Sequence, residues 1–374
     1  MSTTPIIQFG TSRFLQAHVD LFVSEALQHG DAAGHITVVQ SSGDPSRSAR
    51  LAALANPAGF EVRIRGLHNG ELVDRSVSVK SVARALCLPR DLETVTKIMS
   101  TEARIVLSNT SDAGFRSQAE DRALEFSTGM SYPAKLTWLL FKRFSAGGEP
   151  IQIMPAELVP DNGDTLRDLV LSIARLYPED FQVWLRDRVL WINSLVDRIV
   201  SEPIEPAGAI AEPYALWAIE NQPGFLPPCS HPDVKVVSDL KEFETLKLYI
   251  LNLGHTYIVS RWRRMADGKT QFVRDYLMDE GNLSDLRDLY REEVIPAFGA
   301  QGCGEAAEAY VASTIDRFRN PYLDHRLSDI AQNHAEKVER RIGTFLDFAR
   351  KADPSLQIPR LETLVHQTRK AEAP

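Results

Sequence analysis

The chain has 374 residues, 44% hydrophobic and 25% charged, an ordinary globular composition with room for two domains at roughly 100–200 residues each. Its formal net charge of -8 argues against the basic face of a nucleic-acid binder, and no run approaches the ~18 apolar residues of a membrane span. Cys87, Cys229 and Cys303 are too far apart for a disulfide framework or a metal quartet, and MSTTPIIQFG has no signal-peptide character, so a cytoplasmic protein is expected, with neither nucleic-acid nor membrane partners.

Pro5–Phe9 (PIIQF) reads as a short strand, followed by Gly10 and a helical pattern through Leu27. Ile36–Val39 is a second strand. Glu61–Arg65 and Glu71–Val73 flank Asn69-Gly70, a two-residue hairpin signal. Arg104–Leu107 and Ile151–Met154 are further strands, each ending in a polar loop (SNTSDAGF and PAELVPDNG). Strands separated by helical stretches predict a parallel sheet with crossover helices. Beyond residue 235 the periodicity turns helical, over 238–264, 269–294, 304–317 and 325–352. The fold class is α/β: an N-terminal Rossmann-type parallel-sheet domain, residues 1–234, then a mostly α-helical domain, residues 235–374. The Pro-rich stretch 203–233 is the expected crossing between them.

A strand–Gly–helix opening is where a dinucleotide fold seats its pyrophosphate, because the glycine permits a tight turn and the helix start offers free N–H groups. GTSRFLQAHVD supplies Gly10, Thr11, Ser12, Arg13 and Phe14 for that task, although Ser12 stands where a second glycine is usual. An ordinary βα turn is the alternative. At the end of the second strand Gln40, Ser41 and Ser42 replace the acidic residue that normally meets the adenosine ribose, and Arg47 and Arg50 follow. NAD is the expected cofactor, and NADP stays open. Asn109 and Thr110 of SNTSDAGF lie just past a strand's carboxyl end, where they either touch cofactor or only form a turn.

LKLYILNLGHTY, residues 246–257, sets Lys247, Asn252 and His255 in an otherwise apolar stretch. On an ideal helix, Glu244, Lys247, Asn252 and His255 share an arc of about 140° at ~100° per residue. A helix that is apolar on its other sides is expected to be buried, and a buried lysine is paired or functional. The structural alternative is a Glu244–Lys247 ion pair with His255 as a cap. The functional reading makes Lys247 a general base for an alcohol losing hydride, with Asn252 donating to the developing alkoxide.

Lys247-x4-Asn252-x2-His255 resembles the signature of the polyol-specific long-chain dehydrogenases. QFGTSRFLQAHVD, SNTSDAGF, KLTWLLFKRF, AELVPDNG, INSLVDRIV, AEPYALWAIE and NPYLDH agree in order over nearly the whole chain. The resemblance implies Lys247 as base, Asn162 and Asn252 as the oxyanion hole, and His255 and Asp197 on substrate hydroxyls. It also implies Glu244 gating a water path, and no catalytic metal. Lys337 fits the basic position of the family's Gly-Ser-x-Lys segment, although QNHAEKVERR lacks the Gly-Ser. VVQSSG and SNTSDAGF are closest in wording to the uronate reductases of the family. The expected substrate is therefore a small-molecule sugar acid or polyol, of the fructuronate/mannonate or tagaturonate/altronate type. A carboxylate would find positive charge at Lys337, His325 and Arg326, with Arg340 and Arg341 either joining them or standing as solvated charges. A mannitol-type polyol dehydrogenase, or an idle sugar- or nucleotide-binding protein, is the alternative. No heptad or exposed apolar stripe points beyond a monomer or homodimer.

Overall fold

The computed structural model describes residues 3–110, 112–265 and 270–372. Ser111 of SNTSDAGF, Lys269 at the start of the 269–294 stretch, and both ends of the chain lie outside the described residues. Two compact units are formed, one from residues 1–64, 75–211 and 215–240, the other from 65–74, 212–214 and 241–374.

The first unit is built on β1 (Ile6–Phe9), β2 (Ile36–Gln40), β3 (Phe60–His68), β4 (Glu71–Val79), β5 (Val82–Cys87), β6 (Ile105–Ser108), β7 (Ile151–Pro155) and β8 (Val189–Trp191). It continues with β9 (Ser194–Asp197), β10 (Val200–Pro203), β11 (Gly208–Ala211), β12 (Leu216–Glu220) and β13 (Val234–Val237). Six strands form a parallel sheet in the order β5-β2-β1-β6-β7-β8. Counted along the chain within that sheet, the order is 3-2-1-4-5-6, the doubly wound dinucleotide-binding arrangement, with its switch point between β1 and β6. β1, β2, β6 and β7 are buried throughout, which is why they read as unbroken apolar runs. The helices are α1 (Arg13–Gln16), α2 (Val19–Leu27), α3 (Ser48–Leu54), α4 (Leu92–Thr101), α5 (Tyr132–Ser145), α6 (Asn162–Ala174) and α7 (Glu179–Asp187).

Several elements depart from the sequence reading. The single helix expected through Leu27 is two, broken at Ala17–His18, where His18 is buried and its Nε2 pairs with the Leu216 carbonyl at 2.9 Å. β5 escaped notice because it is an edge strand of mixed burial, with Ala and Leu that favour helix. The Pro-rich stretch 203–233 carries β11 and β12, and all of it except 212–214 falls in the first unit. Pro203 is accommodated because it ends β10, an edge strand. At the hairpin tip Asn69 and Gly70 both have positive φ, 54° and 76°, as a tight two-residue turn requires.

The second unit is helical: α8 (Lys241–Leu246), α9 (Leu253–Trp262), α10 (Val273–Tyr276), α11 (Glu280–Leu289), α12 (Ile295–Ala300), α13 (Gly304–Phe318), α14 (Leu327–Ile330), α15 (His334–Val338), α16 (Thr344–Ala352) and α17 (Pro359–Glu372). Three of the joins between consecutive helices are π-helical: Lys247–Asn252, Tyr290–Val294 and Glu339–Gly343. The hairpin tip belongs to this unit. Gly70 N donates to Asp316 Oδ2 (3.1 Å), the Arg65 guanidinium lies 3.7 Å from the Tyr322 ring centroid, and Asn320 Nδ2 donates to Arg65 O (3.3 Å).

Candidate active site

In the first unit the polar residues gather at the carboxyl ends of β1, β6 and β7. Gly10 has φ +128°, and a Cβ there would sit 2.6 Å from the Asn109 carbonyl, so only glycine lets the β1 and β6 ends approach this closely. Ser12 caps α1. Its Oγ accepts from Leu15 N (3.2 Å) and donates to Asn109 Oδ1 (3.2 Å), which explains a serine where a second glycine is usual. Asn109 Nδ2 is fixed on the Ala156 carbonyl at 2.7 Å. The Arg13 guanidinium turns away to Ile204 O, Gly208 O and Glu205, while Phe14 stacks on His18. Arg50 lies over the turn, with Nη1 3.5 Å from Thr11 O. α1 has only four residues, so backbone N–H groups and Arg50, more than a helix dipole, would hold a pyrophosphate here. The hydroxyls of Thr11 and Ser41 are buried with no acceptor or donor among the described residues.

Gln40 is locked into its own loop, Nε2 donating to Asp44 O at 2.8 Å, and Lys135 Nζ reaches Ser41 O at 3.3 Å. A cavity of about 390 Å³ opens beside them at the β2 and β5 ends, with Pro45, Leu51, Cys87 and Pro89 among its walls. That is where this fold seats an adenosine. The turn and the cavity together fit a dinucleotide.

Two residues in this region were not singled out by the sequence reading. Glu157, only 2% exposed, accepts from Ser108 Oγ (3.0 Å), Thr110 N (2.9 Å) and Thr110 Oγ1 (3.1 Å). It ties the β6 loop to the β7 end, and burial pushes its carboxyl upward. Asn193 caps α6 from another element, Oδ1 accepting from Gly163 N (2.9 Å) and Asp164 N (3.1 Å). Asp161, the residue before α6, is left-handed and gives no such bond. Both residues stand inside stretches already singled out, AELVPDNG and INSLVDRIV, but only a structure shows which neighbour each holds.

Asn162 is 1% exposed and fully engaged. Its Oδ1 accepts from Ser194 N (2.9 Å), and its Nδ2 donates to Ser194 O (2.8 Å) and Glu157 O (3.1 Å). Gly163 follows because a Cβ there would lie 2.5 Å from the Ile192 backbone. DNG and INS are thus two halves of one knot. Asp197 is buried at the end of β9, opposite Leu216.

In the second unit the stretch from Glu244 to Tyr257 is not one α-helix. α8 gives way to a π-helical segment over Lys247–Asn252 and then to α9. In the wider turn successive residues rotate less than 100°, so the arc expected for an ideal helix does not apply. Nor is the segment buried all round. Glu244 is exposed, and Lys247, Leu248, Tyr249 and Asn252 are half-buried, whereas Ile250, Leu251, Leu253 and His255 are buried. A π-helix leaves carbonyls without their usual partners, and side chains from the other two π-helical segments fill them. Tyr290 OH donates to Ile250 O (2.9 Å), and Arg341 Nη1 donates to Asn252 O (3.2 Å) and Thr256 Oγ1 (3.1 Å). Gly254 is glycine because a Cβ there would overlap the Tyr290 hydroxyl.

His255, 7% exposed, faces His325 with Nε2 to Nδ1 at 3.2 Å and packs on Phe318. One ring donates and the other accepts, so the pair disfavours a second proton. Burial first, then His325, Arg317, Arg341 and Lys337, hold His255 well below the ordinary histidine range, and burial lowers His325 as well. Lys337 Nζ donates to Ile330 O at 2.8 Å. Arg326 is exposed over the Phe272 ring, apart from the bonds that join Asn252, Arg341 and Thr256. Among the described residues no group of three or more His, Cys, Asp or Glu could hold a metal ion, and no helix is long and apolar enough to cross a membrane.

Residues 4–225 match the family profile of the mannitol dehydrogenase Rossmann domain, and residues 239–358 that of the mannitol dehydrogenase C-terminal domain. Altronate oxidoreductase of Bacillus subtilis (strain 168) is 31% identical over 371 residues, 92% of this chain and 75% of that protein. The altronate oxidoreductase of Enterobacter sp. (strain 638) is 31% identical over 364 residues, covering 90% and 73%. Among solved structures, D-sorbitol dehydrogenase in substrate-free form shares the fold at a TM-score of 0.83 and 21% identity, over 98% of this chain and 80% of that one. Pseudomonas fluorescens mannitol 2-dehydrogenase, in ternary complex with NAD and D-mannitol, does so at 0.68 and 17%, over 98% and 84%. The doubly wound sheet with its bare glycine turn, the helical unit carrying Lys247, Asn252 and His255, and matches along both units lead to one conclusion: the chain belongs to the mannitol dehydrogenase family, whose members are oxidoreductases acting on CH–OH groups.

Proposed function

We propose that the chain interconverts a secondary alcohol and a ketone on a linear sugar acid with NAD(P), the substrate being of the altronate/tagaturonate or mannonate/fructuronate kind. Residues 1–234 would hold the dinucleotide and residues 235–374 would carry the base. The observation that carries the reading is the Lys247–His255 segment. A half-buried lysine and asparagine are held on a π-helical turn whose odd carbonyls are bonded by Tyr290 and Arg341. Such turns are frequent at functional sites because they re-aim side chains that an α-helix would place elsewhere. The altronate oxidoreductases, alike over nine-tenths of the chain, favour a sugar acid over a neutral polyol.

When bound, the nicotinamide dinucleotide accepts or supplies the hydride. Lys247 Nζ takes the hydroxyl proton in the oxidative direction and returns it in reduction. Asn252 Nδ2 donates to the oxygen as charge develops on it. Asn162 joins as the second donor by giving up the Glu157 carbonyl, the longer of its two Nδ2 bonds, while Ser194 keeps the amide oriented. His255 has Nε2 engaged by His325 and turns Nδ1 to a substrate hydroxyl. Asp197 takes another hydroxyl, and Glu244, exposed on α8, opens a water path to the lysine. Gly10, Ser12 and Arg50 seat the pyrophosphate, the 390 Å³ cavity takes the adenine, and Gln40 leaves the ribose site without the carboxylate that repels a 2′-phosphate.

The test is NADH and NADPH oxidation against fructuronate, tagaturonate, fructose and fructose 6-phosphate. Turnover is expected on an acid and weakest on the neutral sugar. Cofactor binding without turnover on any of the four would reduce the chain to a nucleotide-binding relative.

A further inference from the structure

Two arginines of the helical unit, Arg317 buried and Arg341 half-buried, differ in one respect. Arg317 is fully matched, its Nη2 2.8 Å from Glu212 Oε1 and its Nε 3.0 Å from Glu212 Oε2. Arg341 has no acid. Its Nη1 is bound to Asn252 O and Thr256 Oγ1, its Nε is buried without an acceptor, and no carboxylate among the described residues lies within ion-pair distance. Lys337, four residues earlier and also half-buried, has its ammonium bonded among the described residues to the Ile330 carbonyl. The nearby acid Glu339 is taken up by Arg369 in a two-bond pair, at 2.7 Å each.

A cation drawn from water without a counter-charge is costly, and proteins rarely leave one so unless something else arrives to neutralise it. Here Arg341 is such a cation beside the residues assigned to catalysis, and Lys337 adds a second positive charge near it. Arg341 bonds positions 252 and 256 of the helix that carries His255. Burial and then Arg340 bring the guanidinium down to about 10, and burial, Arg341 and Arg340 bring Lys337 down as well. Each result shows a group that a bound anion would relieve. The guanidinium's planar fork is suited to a carboxylate, and Nη1 is anchored so that the rest of the group is held still.

We propose that Arg341, assisted by Lys337, receives the terminal carboxylate of the substrate and thereby selects a sugar acid over the neutral sugar of the same carbon chain. The inference rests on the sugar-acid reading above and names the residue responsible for it. It also explains why Arg341 is tied to the Asn252 carbonyl: the group that reads one end of the substrate is coupled to the helix turn that meets its reacting oxygen.

The experiment compares kcat and KM of the wild type, Arg341→Gln, Arg341→Lys and Lys337→Gln on a keto-hexuronate and on the ketohexose with a hydroxymethyl in place of the carboxylate. The ratio of kcat/KM on the acid to that on the neutral sugar should fall roughly 10- to 100-fold in Arg341→Gln, mostly through KM, as expected for a lost charge-assisted pair. Lys337→Gln should lower it less, and Arg341→Lys should restore part of it. Calorimetric binding of the product acid to the holoenzyme should weaken in step. Parallel losses on both substrates, leaving the ratio unchanged, would mean that Arg341 only braces the Asn252 turn, and the proposal would fall. Equal wild-type turnover of acid and neutral sugar would overturn it while leaving the dehydrogenase reading intact. No turnover on either would overturn that reading itself.

Discussion

The glycine turn of the first unit and the π-helical turn of the second solve the same problem by opposite means. At the β1 end a side chain is removed, and Gly10 lets backbone come within reach of backbone. At Lys247–Asn252 the backbone is widened, and side chains from Tyr290 and Arg341 move in to satisfy what the widening exposes. The first device is announced by one glycine between a strand and a helix, even though the backbone it admits, at Asn109, belongs to another strand's end. The second depends on residues 40 and 89 positions away. A short motif can therefore announce the first, whereas the second becomes visible only once the helices are packed.

Replacing Lys247 by alanine is the most severe way to break the comparison. On the proposed role its loss should lower kcat by about 10²–10⁴ while NADH binding persists. Stopped-flow turnover with a fluorescence titration of NADH separates the two. Asn252→Ala should cost roughly 10²–10³ in kcat if its amide faces the alkoxide, and a change confined to KM would reduce it to a binding group. Gly254→Ala should destabilise by about 1–3 kcal/mol through overlap with the Tyr290 hydroxyl. Adding Tyr290→Phe should recover part of that loss, less about 1 kcal/mol for the orphaned Ile250 carbonyl, as read by urea denaturation of the single and double variants.

The smallest effect sharpens the first unit instead. Burial drives His18 from 6.5 down to about 3. The unfolded chain then binds a proton that the folded chain refuses, so the contribution of neutral His18 is present above pH 6.5 and drains away as pH falls toward about 3. His18→Gln should lose stability less steeply across that window than the wild type. Equal slopes would place the acid sensitivity elsewhere.

Much of the sheet was legible. Ile6–Phe9, Ile36–Gln40, Ile105–Ser108 and Ile151–Pro155 are apolar runs because both of their faces are covered, and the Asn69-Gly70 turn follows from its two residues. The edge strand β5 was not, since its burial is partial, and neither were the largely buried strands inside the Pro-rich stretch, whose pairing is settled by distant partners such as Glu61–Ile64 for β11. At the site, the lysine, asparagine and histidine stood out as polar groups in an apolar run. The π-helical turn beneath them did not, because an ideal 3.6-residue period is assumed before any pattern is drawn. Glu157 and Asn193 were read as parts of loops. Their roles come from bonds to Thr110 and to the start of α6, which no spacing rule encodes.

The hairpin tip at Asn69-Gly70 bears on how the protein is made. The chain passes between its compact units five times, at residues 64/65, 74/75, 211/212, 214/215 and 240/241. Gly70 must wait for Asp316, which leaves the ribosome 246 residues later. The sheet unit has every residue it needs once position 240 has emerged, whereas the helical unit keeps an early-born piece idle until α13 and the turn after it are synthesised. The order in which the residues become available thus runs from the sheet unit to the helical unit, and no single cut in the gene would release either unit whole.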